Sequence, residues 1–277
     1  MFYHFSMNKQ ITDHVVISGA RGFVGKNLKK FLARNNIDTI PISRHNFKNN
    51  KFPSLKKASH FIHLAGVGSE SVDQDSFVKV NVELTKSVIS LCKKNNIKNI
   101  FYFSGLGVSK NSRSSYFISK FNAEQLIKKS GLRYTIFRPS YIIGSDDYLT
   151  KNISKQILKK QILIPGSGKF LLQPISIDDV CKCITVGLHS SKFSNKIIDL
   201  VGPREITFQK LVTKSVSSKI KIKKINLESA YKSALNDIGF AYGVEDLNIL
   251  VGNYVGNHKK LQNLCNFKFQ KIESLNA

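Results

Sequence analysis

The amino-acid sequence predicts a doubly wound, mostly parallel α/β sheet carrying a smaller substrate lobe, and three observations support that class. The first is a β-branched run, Val15-Val16-Ile17, followed by glycines at 19, 22 and 25 and then by apolar Phe23, Val24, Leu28, Phe31 and Leu32. A buried strand, a tight glycine turn and an amphipathic helix, in that order, open such a sheet. The second is the alternation that follows: short apolar runs at 39–42, 61–65, 100–103 and 133–138 are separated by stretches of helical periodicity, the pattern of parallel strands joined by helices. The third is size, since 277 residues at 42% hydrophobic composition suit one large α/β domain, or a nucleotide-sized domain with a lobe.

The glycine turn reads as a dinucleotide site. Gly19 permits the tight turn, Gly22 lets the backbone approach a pyrophosphate, and Gly25 allows the helix to pack closely on the sheet. The phosphates then lie over the free N–H groups of the helix start, where Phe23 and Val24 stand. After the second strand, a carboxylate would hold an adenosine ribose 2′-hydroxyl. Here Asp38 precedes that strand, while Ser43 and Arg44 follow it, a hydroxyl and a cation suited to a 2′-phosphate. Arg21, within the glycine turn, is in reach of the same phosphate, and a guanidinium matches its oxygens. NADP is therefore expected ahead of NAD. The third strand ends at Leu64-Ala65-Gly66, small residues that let a cofactor pass close to the backbone.

A second constellation lies beyond the fourth strand. Tyr116 and Lys120 are four residues apart, on one face of a helix running through Ala123, Leu126 and Ile127. A phenol of pKa near 10 needs help to act as a base at neutral pH. An adjacent ammonium and an oxidised nicotinamide both favour the phenolate. Such a pair can take a proton from a substrate hydroxyl or donate one to a carbonyl oxygen. Asn81 interrupts the apolar face of the preceding helix, at about 77–94, as a hydrogen-bonding bridge.

Taken together, Gly19-Ala20-Arg21-Gly22-Phe23-Val24-Gly25, His63-Leu64-Ala65-Gly66, Tyr116 with Lys120, Phe137-Arg138-Pro139-Ser140 and Pro174-Ile175-Ser176-Ile177-Asp178-Asp179-Val180 resemble the short-chain dehydrogenase/reductase superfamily. The similarity is to its extended or atypical branch of NAD(P)-dependent epimerase/dehydratase-like proteins, close in flavour to the nucleotide-binding accessory subunit of respiratory complex I, and it spans roughly residues 12–210. The resemblance implies Tyr116 as general acid/base and Lys120 as a nicotinamide-ribose ligand that lowers the tyrosine pKa. It implies that Pro139, at the end of the fifth strand, closes over the nicotinamide. Its third catalytic member is a hydroxyl just past strand four. Ser104 stands at the strand end, but Gly105 and Leu106 occupy the next two places, so Ser114 and Ser115 remain candidates for that role.

The resemblance also sets the expected boundaries: an NAD(P)-binding Rossmann core over 12–140, and a mixed region over 141–277. Residues 174–202, approximately, would complete the sheet and the remainder would form the smaller lobe. Lys169, Gln173 and Arg204 fall where such proteins hold the phosphates of a nucleotide-sugar. Asp146-Asp147 and Asp178-Asp179 read as helix caps, as does Thr207. Alternation at 220–225 suits a half-exposed strand. Residues 227–239 read as one helix and 244–264 as an apolar-faced remainder of the lobe.

Composition bounds the partners. Lys plus Arg total 43 against 18 acidic residues, a formal charge of +25, which points towards polyanions or anionic surfaces. The lysines, however, are spread over nearly every helix and loop, often at helix ends where cations suit the dipole, so a nucleic-acid partner is not expected. The four cysteines, at 92, 181, 183 and 265, form neither a disulfide framework nor a zinc motif, and no metal is expected. No apolar run reaches eighteen residues, and MFYHFSMNKQ lacks a secretory core, so a cytoplasmic protein is expected. A small-molecule substrate, a homo-oligomer and an assembly partner are all compatible with the chain. Two functions stay open: an NADP-dependent oxidoreductase or epimerase/dehydratase acting on a nucleotide-sugar-like substrate, and an incomplete cofactor-binding protein of assembly or regulation.

Overall fold

The computed structural model describes residues 14–69 and 76–275. The opening decapeptide and the loop acids Glu70, Asp73 and Asp75 lie outside the described residues. The first half of the chain runs β1 (His14–Ser18), α1 (Phe23–Arg34), β2 (Thr39–Ile42), α2 (Arg44–Lys48) and β3 (Ala58–His63). A π-helical segment, Val78–Glu83, continues into α3 (Leu84–Lys94), followed by β4 (Asn99–Phe103), α4 (Ser115–Lys128) and β5 (Arg133–Pro139). The second half runs β6 (Ile142–Ile143), α5 (Tyr148–Leu158), β7 (Gln161–Pro165), β8 (Leu171–Leu172), β9 (Ile175–Ser176), α6 (Ile177–His189) and β10 (Lys196–Leu200). It closes with β11 (Ile206–Thr207), α7 (Phe208–Ser215), β12 (Lys221–Ile225), α8 (Leu227–Asn236), α9 (Val244–Leu250) and α10 (His258–Cys265).

Six strands form one sheet in the order β2-β1-β3-β4-β5-β10, every pair parallel. The chain steps out from β1 to β2 and returns on the other side of β1 to β3. That reversal opens a crevice at the carboxyl ends of β1 and β3, where Ser18 is in register with His63. Period-two alternation supplies both faces of the sheet. Val15 and Ile17 pack with Leu28 and Leu32 of α1 and with Val180 and Ile184 of α6. Val16 points the other way, into a cluster with Val88 and Leu91 of α3 and Ala123 and Ile127 of α4. Each fully buried Val, Leu, Ile or Phe contributes about 1.5–3 kcal/mol, so two buried layers hold the β1 end rigid.

The smaller lobe has its own core of Ile153, Ile162, Ile164, Phe208, Leu211 and Leu247, around the parallel pair β7–β12. The apolar stretch at 244–264 divides rather than forming one unit of that lobe. α9 buries Leu247 and Leu250 there, whereas α10 returns Leu261 and Cys265 to the main core. Hydrogen bonds from the backbone between them force the break: Tyr254 N donates to the Leu171 carbonyl at 2.8 Å, and Gly256 N donates to the Gln173 side-chain Oε1 at 2.8 Å. The acids of α6 also differ from expectation. Ser176 is the cap, accepting from Asp179 N at 3.1 Å, while buried Asp179 pairs with Lys182 and accepts from Gln270 N at 2.6 Å. Asp147 and Thr207 do cap α5 and α7. All four cysteines are free and buried, and among the described residues no helix is long and apolar enough to cross a membrane.

Candidate active site

The glycine turn is tight for stated steric reasons. Gly19 has φ +74°, and a Cβ there would stand 2.6 Å from Ala65 N, so the turn is pressed against the end of β3. A Cβ on Gly25 would run into Gly19 O and lie 2.7 Å from Ala20 Cα. Gly22 is the N-cap of α1, with no side-chain cap and no acid in the first turn. The N–H groups around Phe23 and Val24 are thus left for an anion, as a pyrophosphate cradle requires. Exposed Arg21 sits in this turn. At the end of β2, Ser43 caps α2, and both its N–H and its hydroxyl donate to Asn46 Oδ1 at 2.8 Å. Arg44 is exposed on the first turn of that helix.

Ser114 caps α4 and places Tyr116 and Lys120 one turn apart. Lys120 is buried; its Nζ donates to Phe103 O at 2.9 Å and lies 5.0 Å and 5.8 Å from the ring centroids of Tyr102 and Tyr116. Burial pushes the ammonium down to about 8, opposed by the Glu124 carboxylate. Burial pushes Tyr116 up to about 12. Glu124 is fully buried and grips Arg138 of β5 through two hydrogen bonds, of 2.9 Å and 2.6 Å. Asn81, in the π-helical segment, is the expected bridge: it accepts from Val67 N at 3.0 Å and donates to Val67 O and Ser119 Oγ at 3.1 Å and 2.9 Å. Gly66 makes room for this cluster as well as for a ligand, because a Cβ there would stand 2.9 Å from Lys120 Nζ and 3.0 Å from Asn81 Oδ1.

His63 belongs to one of the family-like motifs but has no role legible in the sequence, since a histidine closing a strand has no spacing signal. It is wholly buried between Ser18 Oγ at 2.7 Å and Thr85 Oγ1 at 3.0 Å. Burial, with Lys120 nearby, pushes it down to about 3, so it stays neutral.

The Lys120 shift has a measurable consequence. Its folded pKa lies below the unfolded value, so between about 8 and 10.5 the unfolded chain binds the extra proton, and this group's contribution to stability rises with pH. Denaturant unfolding of wild type and Lys120→Met at neutral pH and near pH 10 should show wild type gaining on the variant by up to about 3 kcal/mol. A constant difference between the two proteins would refute the depressed pKa.

Two cavities meet at these side chains. One of about 170 Å³ is lined by Val24, Leu64, Gly66, Val67, Phe103 and Lys120, and one of about 470 Å³ by Phe23, Leu106, Pro139 and the smaller lobe; Ser104 and Tyr116 line both. The Ser104 hydroxyl is buried without a hydrogen-bond partner in the described structure. Ser114, by contrast, donates to Glu245 Oε2 at 2.8 Å and accepts from Phe117 N; neither it nor exposed Ser115 lines either of these two cavities. Gly105 and Leu106 are taken up by packing: a Cβ on Gly105 would meet the Phe117 ring at 3.2 Å, and Leu106 N donates to Pro139 O at 2.9 Å.

The far wall of the larger cavity holds Tyr141, Tyr148, Tyr242 and Tyr254, which come from separate segments and carry no common spacing in the sequence. Among the described residues, no lysine or arginine lines it. Its carboxylates are engaged, Asp147 with Gly144 N and Thr150, and Asp246 with Gly243 N and the Tyr148 hydroxyl. Lys169, Gln173 and Arg204 are not brought together there. Gln173 ties Gly202 O to Gly256 N, Arg204 pairs with Glu273 at 2.7 Å, and Lys169 is exposed.

A six-stranded parallel sheet with a glycine turn at its switch point and a Ser, Tyr and Lys beyond it defines a dinucleotide-dependent dehydrogenase-like class. Residues 15–200 match the NAD dependent epimerase/dehydratase family, and the chain belongs to it. It is 26% identical over 244 residues to prestalk A differentiation protein A of Dictyostelium discoideum, covering 82% of this chain and 77% of that one. It is 24% identical over 249 residues to NADH dehydrogenase [ubiquinone] 1 alpha subcomplex subunit 9 of the same organism, a mitochondrial protein, covering 81% and 69%. In fold it is similar to UDP-glucuronic acid 4-epimerase from Bacillus cereus in complex with UDP-glucuronic acid and NAD, with a TM-score of 0.68, 16% identity and coverage of 92% and 93%.

The expectation of NADP is corrected by these comparisons. That epimerase and other structures of like fold hold NAD. The residues agree with the correction at one point. The Ser43 hydroxyl, read as a phosphate ligand, is spent on capping α2 through Asn46.

Proposed function

We propose that the chain is an NAD-dependent enzyme of the epimerase/dehydratase type that acts at a hydroxyl-bearing carbon of a nucleotide-sugar-like substrate. One observation carries this reading: the unpartnered Ser104 hydroxyl and Tyr116 line the same two cavities, one of which is also lined by Lys120. A buried hydroxyl with no partner costs roughly 1–3 kcal/mol, a cost that a substrate oxygen would offset. The uncapped start of α1, free of acids, fits the pyrophosphate of NAD, and the smaller cavity fits its nicotinamide end. Bound NAD would supply the hydride acceptor of the reaction.

The chain's own residues supply the proton chemistry. Ser104 donates to the substrate oxygen and holds it beside the phenol. Tyr116 moves the proton, and the positive charge of Lys120 favours its phenolate. With a pKa of about 8, Lys120 is mostly charged at neutral pH. Glu124 and Arg138 hold that ammonium's surroundings in place. The tyrosine wall, free of cations, suits an uncharged sugar ring, and any diphosphate would lie outside this cavity. Buried, unpaired thiols accord with a cytoplasmic setting.

Fluorescence titration with NADH and NADPH tests the cofactor half of the reading. NADH should bind about tenfold tighter or better, a difference of about 1.4 kcal/mol; equal affinity, or tighter NADPH, would defeat it. Incubation with NAD⁺ and a panel of nucleotide-sugars tests the chemical half. Products should be separated by mass and chromatography, because an epimerase recycles its nicotinamide without net absorbance change.

A further inference from the structure

The three most exposed large apolar side chains among the described residues all lie at one end of the smaller lobe. Ile238 is fully exposed, Leu158 is 84% exposed and Leu235 is 73% exposed. Local hydrogen bonds bring their segments together. Lys159 Nζ, next to Leu158, donates to Gly239 O, next to Ile238, at 3.4 Å. Leu235 stands near the end of α8, three residues before Ile238. Lys221 N donates to Lys160 O at 3.2 Å, which draws the start of β12 to the same end. The same segments carry exposed lysines: Lys155, Lys159 and Lys160 on and just after α5, Lys219 and Lys221 just before and at the start of β12, and Lys232 on α8. The nearby carboxylate, Asp237, accepts from Gly239 N at 2.8 Å.

We propose that this end of the lobe docks on an anionic lipid surface, with Leu158, Leu235 and Ile238 entering the acyl boundary and the lysines meeting the headgroups. Single exposed aliphatics are ordinary, but here the three largest exposures fall in one place, on segments that carry exposed lysines. The chemistry favours lipid over a protein partner. Protein interfaces are anchored by Trp, Tyr and Arg and depleted of Lys, whereas protruding aliphatics among lysines are what an interfacial membrane contact uses. The proposal does not depend on the cofactor reading, since the patch shares no residue with either cavity.

Vesicle flotation tests it. The full chain should float with phosphatidylcholine vesicles containing phosphatidylserine and not with phosphatidylcholine alone, and raising the salt should release it. Lys155→Ala/Lys160→Ala/Lys221→Ala, which leaves the Lys159–Gly239 hydrogen bond intact, should weaken partitioning roughly fivefold per charge removed. Leu158→Ser/Leu235→Ser/Ile238→Ser should weaken it by roughly tenfold per side chain. As these residues are exposed, both variants should unfold and bind NADH like wild type. Lys93→Ala/Lys94→Ala/Lys128→Ala, on α3 and α4, removes equal charge from the main domain and should change partitioning less than about twofold, below the loss of even one lysine of the proposed docking end. Absence of flotation at low salt would overturn the proposal. So would an equal loss in the α3–α4 variant, wild-type partitioning by the serine variant, or self-association through this end with no lipid binding.

Discussion

Tyr116→Phe is expected to lower turnover roughly 10²–10⁴-fold, the usual worth of a positioned acid–base group, with cofactor affinity and stability nearly unchanged. Only the hydroxyl is lost, and no hydrogen bond from it to another described residue supports the fold. Lys120→Ala should be worse in two respects. It removes the charge that favours the phenolate, and it empties a buried site that contacts Phe103 O and the Tyr102 and Tyr116 rings. Its loss should therefore appear in cofactor affinity as well as in turnover. Ser104→Ala removes an unpartnered hydroxyl, so stability should hold or rise while turnover falls. Steady-state kinetics on whichever nucleotide-sugar the panel identifies, alongside NADH titration of each variant, separates these effects. If Tyr116→Phe turns over like wild type, Tyr116 is not the acid–base. If no substrate is converted while NADH still binds, the enzyme reading gives way to cofactor sensing or assembly.

Gly25→Val should be the most damaging change to the fold near the site. Its Cβ would collide with Gly19 O and Ala20 Cα, which are backbone atoms with no rotamer to yield. Either α1 leaves the sheet or the glycine turn opens, and both displace the N–H groups at the start of α1 that are proposed to hold the pyrophosphate. A cost of about 3 kcal/mol or more is expected, a fall in Tm of roughly 6–12 °C, with NADH binding lost. Since the Cβ itself makes the clash, Gly25→Ala should do nearly as much. Gly68→Ala is the control for stability, because a Cβ there meets nothing within 4 Å. Thermal unfolding and NADH titration of the three variants check this. An unperturbed Gly25→Ala would show that the turn is not packed as described.

Much of this site was legible in the sequence because its parts are local. The glycine turn, the strand ahead of it and the Tyr116–Lys120 pair are each contained within one strand–helix unit, where periodicity and spacing translate directly into geometry. Asn81 was legible for the same reason, as a polar residue breaking an apolar helical face. The cofactor's 2′ specificity was misread because Ser43 and Arg44 were judged by residue type. Whether a hydroxyl is available depends on its other partners, and Asn46 had already claimed that of Ser43.

What the sequence by itself determined, then, was the doubly wound class, the place of the tight glycine turn and the setting of Tyr116 and Lys120 one helical turn apart. Each follows from backbone sterics or helical periodicity within some thirty residues, roughly the length of one βαβ unit. The tertiary structure alone decided which serine lines the cavities with Tyr116. Ser104 and Ser114 are chemically alike, but Ser114 donates to Glu245, 131 residues away in the chain, while Ser104 has no partner among the described residues. It also decided that His63 is buried and neutral, that the 244–264 stretch splits between two cores, and that four scattered tyrosines form one wall free of cations. These depend on burial and on contacts between distant segments, and desolvation and packing act on three-dimensional neighbours that no spacing along the chain records.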